Sequence, residues 1–336
     1  MLRTGLIGCG RQGWRRAQAI RQHGDKLTIV ADVDGTMANA LADEMRCEAT
    51  TNWMTVMAMK DIDAVVISTP NIFHAPMSIA ALKNKKHVLC EKPLGRNVDE
   101  TKQIVNVVEE TGMKLKCGFN LRHHAGVQQA RRWFDEGAIG EINFMRIRYG
   151  IGGRIGYEKE WRADKELSGG GQLMDQGMHA LDLSRWFFGD FSEAFGFLST
   201  AFWKIHPLED NAFCLLRSEK GQVASIHVSW TQWKNLFSLE LFGREGYIIV
   251  EGLGGSYGTE RSILGKRDFL KPFGEEVIEF RGEDLSWREE WKEFVSAIRE
   301  NREPLGNAYD GLEAVRLACA VYESASKGYV VKLTKT

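Results

Sequence analysis

Along the first 120 residues, short apolar runs take turns with amphipathic stretches. "TGLIGC", "LTIVADV", "DIDAVVIST", "KHVLCEKP" and "KLKCGFN" read as strands, and "WRRAQAIRQHG", "ANALADEM", "APMSIAALKN" and "DETKQIVNVVEETG" fall between them with helical period. The strand runs lack a clean alternation of polar and apolar residues, as strands do when both of their faces are covered. Parallel neighbours can be joined only by crossovers, so the pattern predicts a doubly wound parallel sheet with helices on both faces.

After about residue 121 the texture changes. "INFMRIRYG" alternates, and two hairpins, "FCLLRSEKGQVASIHVSW" and "FSLELFGREGYIIVEG", turn at Gly221 and near Gly246. Helical periods at "GVQQARRWFDEG", "GQLMDQGMHALDLSRWF", "WREEWKEFVSAIREN" and "GLEAVRLACAVYESASKG" are enough to cover one face of a sheet. This half is expected to be an α+β domain with a large, mostly antiparallel open sheet. Trp287 and Trp291, spaced i and i+4, read as buried packing. A chain of 336 residues exceeds the ~250 to 300 at which one core stops growing, so two domains are expected, 1–121 and 122–336.

Lys plus Arg number 44 against 45 for Asp plus Glu, with no long run of one sign, which argues against nucleic-acid and membrane-surface partners and for a small-molecule ligand. The six cysteines are scattered, as in buried thiols of a reducing compartment. No signal sequence is read at the N-terminus, and the apolar runs fall well short of the ~20 residues a membrane helix needs. A cytoplasmic protein is expected.

"GLIGCGRQGW" places Gly8, Gly10 and Gly13 as G-x-G-x-x-G between the first strand and the first helix. Bare backbone there lets a pyrophosphate approach the helix N-terminus, with Arg11 and Gln12 completing the loop. Asp32, 19 residues after Gly13 at the end of the second strand, can accept hydrogen bonds from a ribose 2′-hydroxyl. An acid there repels a 2′-phosphate, so NAD is expected rather than NADP, although Arg11, Arg15 and Arg16 partly offset the repulsion. Asp34 reads as a solvated turn residue.

"CEKPLGRN", "GFNLRHH", "GAIGEI" and "GGGQLMDQGMHALDLSRWFFGD", in this order behind the glycine loop, resemble the glucose-fructose oxidoreductase, inositol dehydrogenase and rhizopine-catabolism family over nearly the whole chain. The resemblance implies an N-terminal Rossmann domain, a C-terminal open sheet, and a homodimer or homotetramer formed by packing that sheet on another copy. It implies that Glu91 and Lys92 lie against the cofactor. Lys92 would sit beside the nicotinamide, bonding the ribose and steadying an alkoxide. Thr69, Pro70 and Asn71 would run along the cofactor's adenosine and nicotinamide ribose, with His74 either structural or adjacent to the cofactor. Asp175 and His179 match the family's Asp-x-Gly-x-His signature, and their i, i+4 spacing puts both on one face of a single helix, with Gly177 leaving space between them. An imidazole, with an ordinary pKa near ~6.5, suits removal of a hydroxyl proton near neutrality, which makes His179 the general base. Asp175 would orient it, favour its protonated form, or bind a neighbouring substrate hydroxyl.

His123 and His124 are adjacent and without a ligand-spaced partner, so no metal is expected; Arg122 and His124 are assigned to the substrate cleft instead. Arg148, Arg154, Lys159, Arg162 and Lys165 make a local basic excess able to hold a carboxylate or diphosphate, and Arg154 reads as a substrate contact. Trp161, Trp203, Trp230 and Trp233 offer indole faces to a sugar ring, Trp161 foremost. Gly169, Gly170 and Gly171 read as a flexible approach to the catalytic helix. The expected activity is hydride transfer between a nicotinamide cofactor and a secondary hydroxyl or ketone of a sugar, nucleotide sugar or cyclitol. The alternatives are an NAD-dependent glycosidase or lyase with transient ring oxidation, and a dinucleotide or sugar sensor without activity.

Overall fold

The apolar runs of the first 120 residues form six strands, β1 (Arg3–Ile7), β2 (Lys26–Ala31), β3 (Glu48–Thr50), β4 (Ala64–Ile67), β5 (His87–Cys90) and β6 (Leu115–Cys117). They pair in the order β3-β2-β1-β4-β5-β6, every pair parallel. Strand order reverses between β1 and β4, and the crevice at such a switch point is where doubly wound sheets bind ligands. Only β3 escapes the sequence pattern, being three residues long and without a buried position. Asp34 is more than a solvated turn residue: its carboxylate accepts from the Thr36 and Met37 amides and caps the helix Gly35–Met45.

The described residues of the second half supply nine strands: β7 (Ile142–Gly150), β8 (Phe191–Ser199), β9 (Asn211–Ser218), β10 (Val223–Ser229), β11 (Leu236–Gly243), β12 (Gly246–Glu251), β13 (Glu260–Lys266), β14 (Glu275–Phe280) and β15 (Val331–Lys332). Their order is β14-β13-β12-β11-β7-β10-β9-β8-β15, and only β7 and β10 run parallel. Both predicted hairpins are present, β9 with β10 and β11 with β12. One face of the sheet is buried, through Met145, Ile147, Tyr149, Leu216, Ile226 and Val228. The other carries Phe144, Phe197, Phe213 and Leu215, of which Phe197 is 67% and Phe213 48% exposed.

This computed structural model, which describes residues 1–270 and 274–334, divides into two compact units. The first is Met1–Asn120 with Trp287–Val315; the second is Leu121–Ser286 with the residues from Arg316 onward. The first boundary lies beside the expected 121/122, but residues 287–315 pack with the first unit, where the sequence reading had left them in the second domain. The cause is the apolar face of the helix Ser286–Arg299: Trp291, Phe294 and Val295 join Leu6, Ile20, Val30 and Leu41 in one core. Trp291 also donates its indole N–H to Asp25 at 2.9 Å. No described helix is long and apolar enough to cross a membrane.

Candidate active site

In the first unit, the glycine loop connects β1 to the helix Arg11–His23. Gly8 has φ +95°, and a Cβ there would lie 2.5 Å from the Ser68 carbonyl oxygen, so only glycine lets the loops after β1 and β4 meet. At Gly13 a Cβ would fall 2.0 Å from the Gly8 carbonyl oxygen, whereas at Gly10 it would meet nothing within 4 Å. The loop is closed on its protein side and open at Gly10. The helix begins there with no side-chain cap and no acid in its first turn, which leaves its N–H groups and positive dipole end to an anion. Asp32 is held by the Cys9 amide at 2.7 Å and the Asp34 amide at 3.0 Å. Both donors fix the carboxylate in place. These features fit the pyrophosphate and adenosine ribose of a dinucleotide. Arg11 is exposed and Gln12 partly so.

Thr69 and Pro70 follow β4, and Asn71 begins a short 3₁₀ turn, buried. The His74 ring is wedged between two carbonyls, Pro93 O at 2.7 Å from Nδ1 and Thr69 O at 2.9 Å from Nε2. It ties the loop after β4 to the segment after β5. Burial pushes its pKa down, against the pull of those carbonyls.

Glu91 and Lys92 follow β5 directly. Lys92 is half-buried. Glu91 does not reach towards a cofactor: its side chain turns inward and accepts from Arg16 Nε at 2.7 Å. Arg16, itself 1% exposed, also pairs with Glu290 and stacks 4.4 Å from the Trp287 ring centroid. Burial alone would lower the Arg16 guanidinium, and the facing Glu290 and Glu91 carboxylates more than reverse this, so it stays charged. The same burial pushes Glu290 above the ordinary carboxylate range. Glu91 therefore anchors the strand end that presents Lys92. Sequence reading had taken Arg16 only as part of a positive neighbourhood around the loop.

In the second unit, the single helix expected through Asp175 and His179 is two, Gln172–Asp175 and Gly177–Phe188, broken at Gln176. Gly177 serves packing rather than space between the pair: a Cβ there would lie 2.9 Å from Leu173 Cδ1 and 3.2 Å from Val228 Cγ2. His179 is buried, with Tyr149 edge-on at a ring separation of 6.2 Å. Asp175 is partly exposed and lies 3.5 Å from Arg162 Nε. Beside them, Gln172 Nε2 donates to Gln176 Oε1 at 2.6 Å, and Gln176 Nε2 to the Tyr257 hydroxyl at 3.3 Å. Burial, then Tyr257, pushes the Tyr149 hydroxyl well above its ordinary range. Arg162 is legible in the sequence only as part of the local basic excess, and the sequence reading does not pick out Tyr149, Gln176 and Tyr257. Of these three only Tyr149 carries a signal, since it shares the buried-face register of Met145 and Ile147 along β7.

Several assigned substrate contacts are occupied otherwise. Arg122 is 2% exposed and donates Nε and Nη2 to Asp182 at 2.8 and 2.6 Å, on the helix that carries His179. It fixes that helix and is not offered to a ligand. His124 is buried against Glu260 at 3.2 Å. Arg154 forks onto Glu160, which also faces Arg162 at 3.6 Å, so much of the basic excess is neutralised locally. Trp161 is half-buried with the Arg162 guanidinium 4.4 Å from its ring centroid. Trp230 is core, packed with Tyr157, Ile205 and Leu208, and Trp203 lies against it; Trp233 is exposed.

Comparison with known proteins bears on the family and the fold. Residues 2–119 match the sequence profile of an oxidoreductase family with an NAD-binding Rossmann fold, and residues 127–249 that of the GFO/IDH/MocA C-terminal domain. The chain is 28% identical to the inositol 2-dehydrogenase of Rhizobium meliloti, over 97% of each. It is 26% identical to the levoglucosan dehydrogenase of Pseudarthrobacter phenanthrenivorans, over 89% of this chain and 87% of that one. A solved levoglucosan dehydrogenase in complex with NADH superposes with a TM-score of 0.92 at 24% identity, covering 100% of both chains, which shows a common fold.

Proposed function

This chain belongs to the Gfo/Idh/MocA family of NAD-binding oxidoreductases, and from that premise we propose that it oxidises a secondary hydroxyl of a sugar or cyclitol, or reduces the matching ketone, with Lys92, Asp175 and His179 as its reacting side chains. The observation that carries the reading is the open glycine cradle at a helix N-terminus, with Asp32 locked beside it by two backbone amides. Bound NAD supplies the hydride acceptor. Gly8, Gly10, Gly13 and Asp32 hold it, with Thr69, Pro70 and Asn71 alongside. His179 takes the hydroxyl proton as the C–H bond breaks, and the Lys92 ammonium stabilises the negative charge that develops on oxygen. Asp175, steadied by Arg162, binds a neighbouring hydroxyl or orients the imidazole. Growth of reduced-nicotinamide absorbance with one class among inositols, aldoses, sugar acids and nucleotide sugars tests the activity; absence of turnover across all of them counts against it.

The cofactor preference rests on Asp32. Replacing a carboxylate that accepts ribose hydroxyls and repels a 2′-phosphate is expected to weaken NAD use and admit NADP. For Asp32→Ala the ratio of kcat/KM for NADP to that for NAD should rise about 10- to 100-fold, the worth of one charged hydrogen bond. Asp32→Asn, which keeps an acceptor, should fall between. An unchanged ratio would show that another group selects the cofactor.

The six cysteines are scattered along the chain with no Cys-x-x-Cys pair, which fits a cytoplasmic location. The apolar outer face of the second sheet, with Phe144, Phe197, Phe213 and Leu215, supports a homodimer or homotetramer built sheet on sheet. Sedimentation should give a multiple of the 38.0 kDa chain mass. Phe197→Glu with Phe213→Glu should bring it to the monomer; a wild type that sediments as a monomer at micromolar concentration removes the assembly from the reading.

A further inference from the structure

The helix Gln172–Asp175 begins at Gly171, which has no side chain to cap it. The first N–H groups of a helix have no partner within it and must be satisfied from elsewhere. Here one residue, distant in sequence, takes three in succession. The Glu209 carboxylate accepts from Gly171 N through Oε2 at 3.2 Å and from Leu173 N through Oε1 at 2.9 Å, and its backbone carbonyl accepts from Gln172 N at 3.0 Å. Oε1 also accepts the Tyr322 hydroxyl at 2.8 Å.

The glycines before this helix are what let the clamp close. A Cβ at Gly171 would lie 2.2 Å from the Glu209 carbonyl oxygen, and one at Gly170 2.3 Å from the Tyr322 hydroxyl. The triple glycine is thus a packed approach, where the sequence suggested a flexible one. Next along the chain, the Asp210 carboxylate collects the Ala201, Phe202 and Trp203 amides at 2.8, 2.8 and 2.9 Å. Two adjacent acids at the start of β9 each gather a loop's backbone.

Glu209 is 5% exposed, and the partners that hold its carboxylate are N–H and O–H groups. Burial pushes its pKa up while these donors pull it down. Burying a carboxylate on neutral donors costs stability, so its burial here asks for another reason. We infer that Glu209 is a positioning residue for the reaction: steadied by Tyr322, it fixes the start of the helix that ends at Asp175 and leads directly into the turn before His179. The inference rests on the dehydrogenase reading above. Geometry matters because a misplacement of about 1 Å can cost about 100-fold in rate.

The test compares Glu209→Gln, Tyr322→Phe and the double variant with the wild-type enzyme. A glutamine has one acceptor oxygen and sets an NH₂ against N–H donors, yet it relieves the buried charge. Glu209→Gln should therefore keep its thermal stability while kcat falls about 10- to 100-fold and KM for NAD stays within about twofold. Tyr322→Phe should lower kcat several-fold, and the double variant should be no worse than Glu209→Gln, since both act through one carboxylate. Hydrogen exchange of the Gly171 and Leu173 amides, read in the protein without substrate, should accelerate in Glu209→Gln. Faster exchange with no wild-type turnover on any polyol supports the clamp and removes the dehydrogenase reading alone. Unchanged exchange, or an unchanged kcat in the folded variant, overturns the inference.

Discussion

Lys92→Ala and His179→Ala are each expected to lower kcat/KM about 10²- to 10⁴-fold while leaving the protein folded and able to bind NAD. A positioned general base contributes about 10²- to 10⁴-fold, and one donor aimed at a developing oxyanion about 10²- to 10³-fold. Lys92 is half-buried, so its removal disturbs the core less than that of a buried side chain. His179 is buried against Tyr149, and His179→Gln, closer in volume, separates lost chemistry from lost packing. On the proposed mechanism, in which both groups act on one oxygen, the two losses should not add in the double variant. A pH series distinguishes them: the decline in oxidation towards acid, set by protonation of the base, should vanish in His179→Ala and persist in Lys92→Ala. Wild-type turnover matched by either variant would remove that residue from the mechanism.

Arg16→Met should cost about 3 to 5 kcal/mol of stability, the usual result of removing one member of a buried ionic group. The change leaves Glu91 and Glu290, 6% and 0% exposed, without the guanidinium that both face. Lys116, which also draws down Glu290, is too occupied with Glu293 and the Leu305 carbonyl to replace it. Urea unfolding measures the loss, and Glu290→Gln added to Arg16→Met should recover part of it by removing one stranded charge. Because Glu91 precedes Lys92, the variant should also lose activity under conditions where it is still folded. A loss below about 1 kcal/mol would mean that the carboxylates are not held as charges by Arg16.

The glycine loop, Asp32 and the strand ends that present Thr69 and Lys92 were legible because they are local. Each depends on a few consecutive residues and on the alternation of strand and helix around them. Reading the partners of charged residues was another matter. Glu91, Arg122 and His124 carry the residue types of a ligand site, yet Arg16, Asp182 and Glu260 lie 75, 60 and 136 positions away along the chain. No spacing rule links such pairs. The clamp at the start of the helix Gln172–Asp175 was hidden for the same reason, since it comes from Glu209 and Tyr322 rather than from its own flanking residues.

The amino-acid sequence by itself determined the two kinds of sheet and the dinucleotide loop, because periodicity and glycine spacing are properties of neighbouring residues, while the proposed trio of Lys92, Asp175 and His179 came from motifs that resemble a known family. Only the tertiary structure decided which polar groups are available to a ligand and which are consumed in holding the scaffold. It also drew residues 287–315 into the first unit, through the burial of Trp291 and Phe294 beside Leu6 and Ile20. Burial and hydrogen-bond satisfaction belong to the packed chain, and a carboxylate has the same letter whether it faces water or a guanidinium in the core.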